Sequence, residues 1–202
     1  YTLDGTSELE SKKIKKAGKN FSLDLSGDKV LDEERILEVR LNRNGADPVY
    51  FYTRIVSDED ANVAQCLNYI SDYHENALAK AENAGVGAAL EPTDDADNTT
   101  LQHVTINSNY EQVTWGSLKP QVEQGERWSI KELNSTCMSV LLQYRVSCKG
   151  EENESDRYAV KEFFRVRYIA DAQKAYLLDY DRTMDQIFDA TKKVLNEKGV
   201  LL

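Results

Sequence analysis

Proline is scarce in this chain of 202 residues, with three in all, and that sparsity excludes a polyproline spacer or a proline-rich disordered segment. No apolar run approaches the ~20 residues that cross a bilayer, and the N-terminus lacks the charged-then-apolar pattern of a signal peptide. The sequence therefore predicts no membrane span within the chain. Also missing are a glycine-rich phosphate loop, a G-x-S-x-G elbow and any pair of carboxylates whose setting marks them as acid and base. Histidine is limited to His74 and His103, and neither has a second ligand at a metal spacing such as i, i+4. Neither is assigned a role. The acidic run "DDADNTT" puts Asp95, Asp97 and Thr99 at alternate positions, but Thr100 stands where a calcium loop needs glycine and Ile106 where it needs glutamate. These absences predict a chain with no cofactor, no metal and no catalytic constellation.

Cysteine is odd in number: Cys66, Cys137 and Cys148. Cys137 and Cys148 fall in what reads as one strand and would lie roughly 36 Å apart at the strand rise, far beyond disulfide reach. Cys66 falls on the apolar side of a helical pattern, where a small buried hydrophobe is the ordinary outcome. An unpaired thiol points to a reducing compartment. Four N-x-S/T triplets, at Asn20, Asn98, Asn134 and Asn153, and a chain that starts at Tyr1 rather than Met point the other way, and the expectation leans to an extracytoplasmic setting. The formal net charge of -10 argues against duplex nucleic acid, which is bound through an excess of Lys and Arg.

What is present is ordinary globular material: 41% hydrophobic and 30% charged residues, with eleven tyrosines. Folding a chain of this length buries roughly 70% of the surface its unfolded form exposes. Ser7 three residues before Glu10 has the form of a capping box and predicts a short helix from there to Gly18. Phe21, Leu23 and Leu25, then Leu37, Val39 and Leu41, alternate with polar residues. With the Asn44-Gly45 turn signal and "VYFYTRIV" at 49–56, they predict a three-stranded meander. Behind Ser57, apolar residues at three- and four-residue steps from Val63 through Cys66, Leu67, Ile70, Tyr73 and Ala77 to Ala81 predict a helix over 57–84 that Gly85 ends and that covers the meander.

Residues 86–100 read as an acidic linker or loop. Beyond them, 101–107, 111–116 and the stretch around Trp128 and Ile130 read as further strands, and Met138, Val140, Leu142, Tyr144 and Val146 hold a strict two-residue period. Strands follow at 158–169 and 175–182. Thr183 with Gln186 forms a second capping box, which predicts a C-terminal helix over 184–198.

Pairing those strands gives the sharpest functional expectation. With 168 opposite 176, Phe164 meets Tyr180, Val166 meets Leu178 and Arg165 meets Asp179. With 148 opposite 158, Val146 meets Val160 and Leu142 meets Phe164. One side is core. The other carries Leu141, Arg145, Lys161, Phe163, Arg165 and Arg167 against Asp179 and Asp181, a basic patch with two apolar side chains that could seat a carboxylate-bearing partner.

The reading is thus an α+β chain of mostly antiparallel sheet in meanders, each covered by an amphipathic helix. Residues 1–85 form one subdomain and 101–202 the other, divided by 86–100. Its expected function is a non-catalytic protein-interaction or assembly domain. The alternatives are an acidic inhibitor or immunity-type protein that binds a basic partner, and a small-molecule binder or enzyme with a cleft between sheet and helix.

Overall fold

A computed structural model describes residues 1–14, 22, 34–56, 61–82, 85–123, 125–149 and 155–188. The chain is α+β, with two antiparallel sheets and one main helix among the described residues. It divides into two compact units, residues 1–59 and 60–202.

The smaller unit contains a hairpin of β1 (Arg35–Arg43) and β2 (Ala46–Ile55), joined at Asn44-Gly45 with Gly45 at φ +72°. That positive φ is what the Asn-Gly turn supplies at no steric cost. Tyr1 bridges to the hairpin: its ammonium donates to the Ile36 carbonyl at 3.0 Å, and the Ile36 N–H donates to the Tyr1 carbonyl at 3.1 Å. The helix expected from Ser7 is absent from residues 7–14. Thr2 and Ser7 exchange backbone contacts instead, the Ser7 N–H donating to the Thr2 hydroxyl at 3.2 Å, and Asp4 accepts from both the N–H and the hydroxyl of Thr6. A short side chain that captures a local N–H in this way closes a turn and competes with helix initiation. Residues 15–18 and the expected strand at 21–27, Ser22 apart, lie outside the described residues.

The larger unit is a six-stranded sheet. Helix α1 (Val63–Ala79) precedes β3 (His103–Thr105), the short α2 (Tyr110–Val113), β4 (Gln121–Val122), β5 (Arg127–Leu133), β6 (Met138–Lys149), β7 (Ser155–Ile169) and β8 (Lys174–Gln186). The order is β3-β8-β7-β6-β4, with β5 also against β6. Every described pairing is antiparallel.

Helix α1 begins after Asn62 and stops at Lys80, which takes a left-handed φ of 54° and donates its N–H to the last carbonyls. Its buried stripe of Cys66, Ile70, Tyr73, His74 and Ala77 lies on β7 and β8. This corrects the expectation that it covers the preceding meander: Tyr73, Phe164 and Tyr180 interlock as an aromatic cluster with centroids 5.2 to 5.8 Å apart. Residues 86–100 are a loop built into the larger unit, since Val86 and Leu90 are buried in its core. The expected strand at 111–116 is helix α2 and a turn. Asn109 is its cap, its side-chain oxygen accepting the Gln112 N–H at 2.9 Å.

The strict alternation at 138–146 is strand β6, as its period requires. The β6–β7 register is two residues away from the expected one: Val140 faces Phe164, Tyr144 faces Val160 and Val146 faces Tyr158. A two-residue slip keeps every side chain on its face, so hydrophobic alternation alone does not distinguish the two registers. Between β7 and β8, Phe164 meets Tyr180 and Arg165 meets Asp179 as expected, and a bulge after Arg165 then sets Val166 against Leu177 instead of Leu178. The helix start at 184 is overturned. Strand β8 runs to Gln186, because Tyr180, Arg182 and Met184 continue the inward alternation. Residues 189–198 lie outside the described residues.

Candidate functional site

The two faces of the β6–β8 ribbon differ in chemistry. The outward face carries the six residues that the sequence singles out. Leu141 and Phe163 are direct cross-strand neighbours and half-buried. Arg145 and Lys161 are exposed, and their opposite residues, Ala159 and Gln143, carry no charge. Neither cation makes an ion pair among the described residues, although Arg145 helps hold the Glu123 carboxyl below its ordinary value after the dominant hydrogen bond from Arg157.

Arg165 and Arg167 are differently placed. Arg165 sits 3.1 Å from Glu132 and donates to the Cys137 sulfur at 3.5 Å. Glu132 is itself fixed by the Ser139 hydroxyl and the Asn134 amide. Arg167 donates to the Thr136 carbonyl at 2.9 Å. The patch therefore splits into a committed half, whose guanidinium groups anchor the β5–β6 connection, and an open half of Leu141, Arg145, Lys161 and Phe163. Tyr176 and Leu178 extend its apolar surface, exposed on the same side beyond the bulge.

The inward face holds what sequence reasoning missed. Glu162 is 1% exposed and Arg182 0%, both among the core side chains. His74 of α1 reaches down to Glu162, Nδ1 to Oε2 at 2.6 Å, and the Tyr180 hydroxyl donates to Oε1 at 2.8 Å. Arg182 donates to the carbonyls of Val113 and Gln112 at 2.7 and 2.8 Å and stacks 4.0 Å over Trp115.

Burial drives the Glu162 carboxyl upward, but the His74 hydrogen bond and charge, with Arg182 and Tyr180 behind them, more than offset it and leave the pKa lowered. Burial likewise opposes a charge on His74, and Glu162, then Glu126 and Glu75, outweigh it so that the pKa is raised. Burial and the Glu162 charge both push the Tyr144 and Tyr180 hydroxyls well up. The signal for this cluster lies in strand parity, since 162 falls between core residues 160 and 164, and 182 between 180 and 184.

A histidine, a carboxylate and tyrosines within hydrogen-bond reach resemble acid–base machinery, but a catalytic group must meet its substrate. An open depression of about 530 Å³ is lined by Glu82, Gly85, Gly87, Ala88 and Tyr110, none of them in this cluster. The space between α1 and the sheet is filled by Ile70, Tyr73, Phe164 and Tyr180. Among the described residues, no group of three or more His, Cys, Asp or Glu side chains could hold a metal.

No family model, curated protein or solved structure matches the chain. Its chemistry is therefore read from its own side chains. All three cysteines are free and buried. Two triplet asparagines are committed to loops: Asn134 accepts from the N–H groups of Thr136 and Cys137, and Asn98 accepts from that of Asn109 while its amide donates to the Ala96 carbonyl. A glycan would attach through Nδ2, the atom that donates to Glu132 at Asn134 and to the Ala96 carbonyl at Asn98. Among the described residues no helix is long and apolar enough to cross a membrane.

Proposed function

We propose that the chain is a non-catalytic protein-interaction domain that seats an acidic, partly apolar segment of another protein on the outward face of β6–β8. The observation that carries this reading is the open half of the patch. Arg145 and Lys161, exposed and facing the uncharged Ala159 and Gln143 on the β6–β7 ladder, flank the apolar pair Leu141 and Phe163. An interface needs an apolar anchor rimmed by groups that reward a complementary charge. Arg165 and Arg167 stiffen the neighbouring surface instead of docking the partner, because the chain's own Glu132 and Thr136 already occupy them. The filled sheet–helix interior supports this reading over a small-molecule cleft.

The test is selection from a library of randomised acidic-aliphatic dodecapeptides, followed by titration of the winners against the wild type and an Arg145→Glu, Lys161→Glu double variant. The expected result is at least about a thirtyfold loss of affinity, since breaking a buried charge pair at an interface costs about 2–5 kcal/mol. Binding should also weaken as salt rises. Selected peptides that bind both proteins equally would overturn the reading.

A further inference from the structure

His74 lies between two carboxylates on different elements. Nδ1 is 2.6 Å from Glu162 of β7, and Nε2, buried without a hydrogen-bond partner among the described residues, lies 3.8 Å from Glu126 on the approach to β5. From β6 the Tyr144 ring meets the imidazole edge-on at 5.0 Å, and Glu75 adds negative charge from α1 itself. Around Glu162 stand Tyr180 and Arg182 of β8 together with Tyr73 and Tyr144. A neutral imidazole serves only one of the two carboxylates: with the proton on Nδ1, the Nε2 lone pair faces Glu126. The imidazolium donates to Glu162 through Nδ1 and sets its charge 3.8 Å from Glu126, an ion pair and not a hydrogen bond.

We infer that His74 is a proton-operated latch, which in its doubly protonated form ties α1 to β7 through Glu162 and to the start of β5 through Glu126. Loss of the Nε2 proton to solvent frees the Glu126 side and leaves Glu162 ionised, buried and short of one counter-charge. An unpaired buried charge is strongly destabilising, whereas an apolar pair of the same volume would hold a helix at least as well. What the ionic pair adds is sensitivity to protons. The elements it joins are the helix that closes the core and the edge strand β5, which carries the exposed Trp128 and Ile130.

The direction follows from linkage. His74 is raised in the folded chain, so its contribution is complete below the ordinary imidazole value of about 6.5 and is lost as pH rises through the higher folded value. Glu162 is lowered, so its contribution is present above the ordinary carboxylate range and is lost as pH falls through the lowered folded value. The latch is closed between these limits and opens on the alkaline side.

Nitrogen NMR of the His74 ring from pH 5 to 10, with amide exchange across residues 63–79 and 127–133 over the same range, tests the inference. The ring should stay doubly protonated beyond the pH at which an ordinary histidine is neutral. Protection of α1, corrected for intrinsic exchange, should fall along the same titration by about tenfold for each unit separating folded and unfolded values. A Glu126→Gln variant alters a part-exposed side chain and leaves the core intact. It should move both the ring midpoint and the loss of protection to lower pH together. A ring already neutral at pH 6, protection that stays flat through the titration, or a midpoint that moves in Glu126→Gln while the protection profile stays in place would each overturn the latch.

Discussion

Two tyrosines whose rings touch near Glu162 separate the value of a hydroxyl that has a partner from one that has none among the described residues. The Tyr180 hydroxyl donates to a fully buried carboxylate at 2.8 Å, while the Tyr73 hydroxyl is buried without a hydrogen-bond partner among the described residues. Hydrogen bonds to charged groups are worth about 1.5–3 kcal/mol, and removing a buried polar atom that has no partner relieves a desolvation penalty. Tyr180→Phe is therefore expected to lower stability by about 2 kcal/mol, and Tyr73→Phe to leave it unchanged or slightly raised. Urea unfolding at neutral pH reads both, with a shift in midpoint at constant slope as the signature. Equal losses from the two variants would mean that ring packing, not the carboxylate, sets the energetics of this cluster.

At the scale of strands and helices, the two faces of β6 should respond unequally to the same truncation. Leu142 is fully buried in the core, whereas Leu141 is half-buried on the outward face. Leu142→Ala should cost about 2–5 kcal/mol through lost burial and a residual cavity. Leu141→Ala should cost less than about 1 kcal/mol. Thermal and urea unfolding of the pair decide it, and a large cost at Leu141 would mean that another element covers that face.

Alternation made this asymmetry legible in the sequence, because a two-residue period has no helical use, and the Asn44-Gly45 turn was equally plain. The β6–β7 register was not legible, because even-numbered slips conserve both faces. The capping box at Thr183 misled because a local signal loses to inward packing, and Met184 is worth more buried in the sheet than the cap is in solvent. Glu162 and Arg182 were hidden for a different reason: a charge in a strand reads as solvent-facing, and here the parity of their neighbours outranked their chemistry. The outward patch was read residue by residue, but the commitment of Arg165 to Glu132 and of Arg167 to Thr136 depends on how β5 returns to β6, which no local pattern encodes.

For the whole molecule, the distribution of burial makes the two units unequal. Every fully buried hydrophobic side chain among the described residues lies at Ala61 or beyond. The hairpin of β1 and β2 leaves Leu41, Tyr50, Phe51 and Tyr52 exposed, and a two-stranded ribbon is at best marginally stable by itself. The energetic centre therefore belongs to residues 60–202, where His74 and Glu162 meet across 88 residues of sequence. Such a closure makes helix docking wait on the sheet, since contacts of that separation must offset loop entropy before they add stability. A chain beginning at residue 60 should unfold cooperatively with a midpoint close to that of the full chain, and its His74 ring should titrate unchanged. Calorimetry and the ring titration measure the two independently. A lowered midpoint with an unaltered ring would show that residues 1–59 stabilise the larger unit away from the latch. A change in both would make residues 1–59 part of what holds α1 on its sheet.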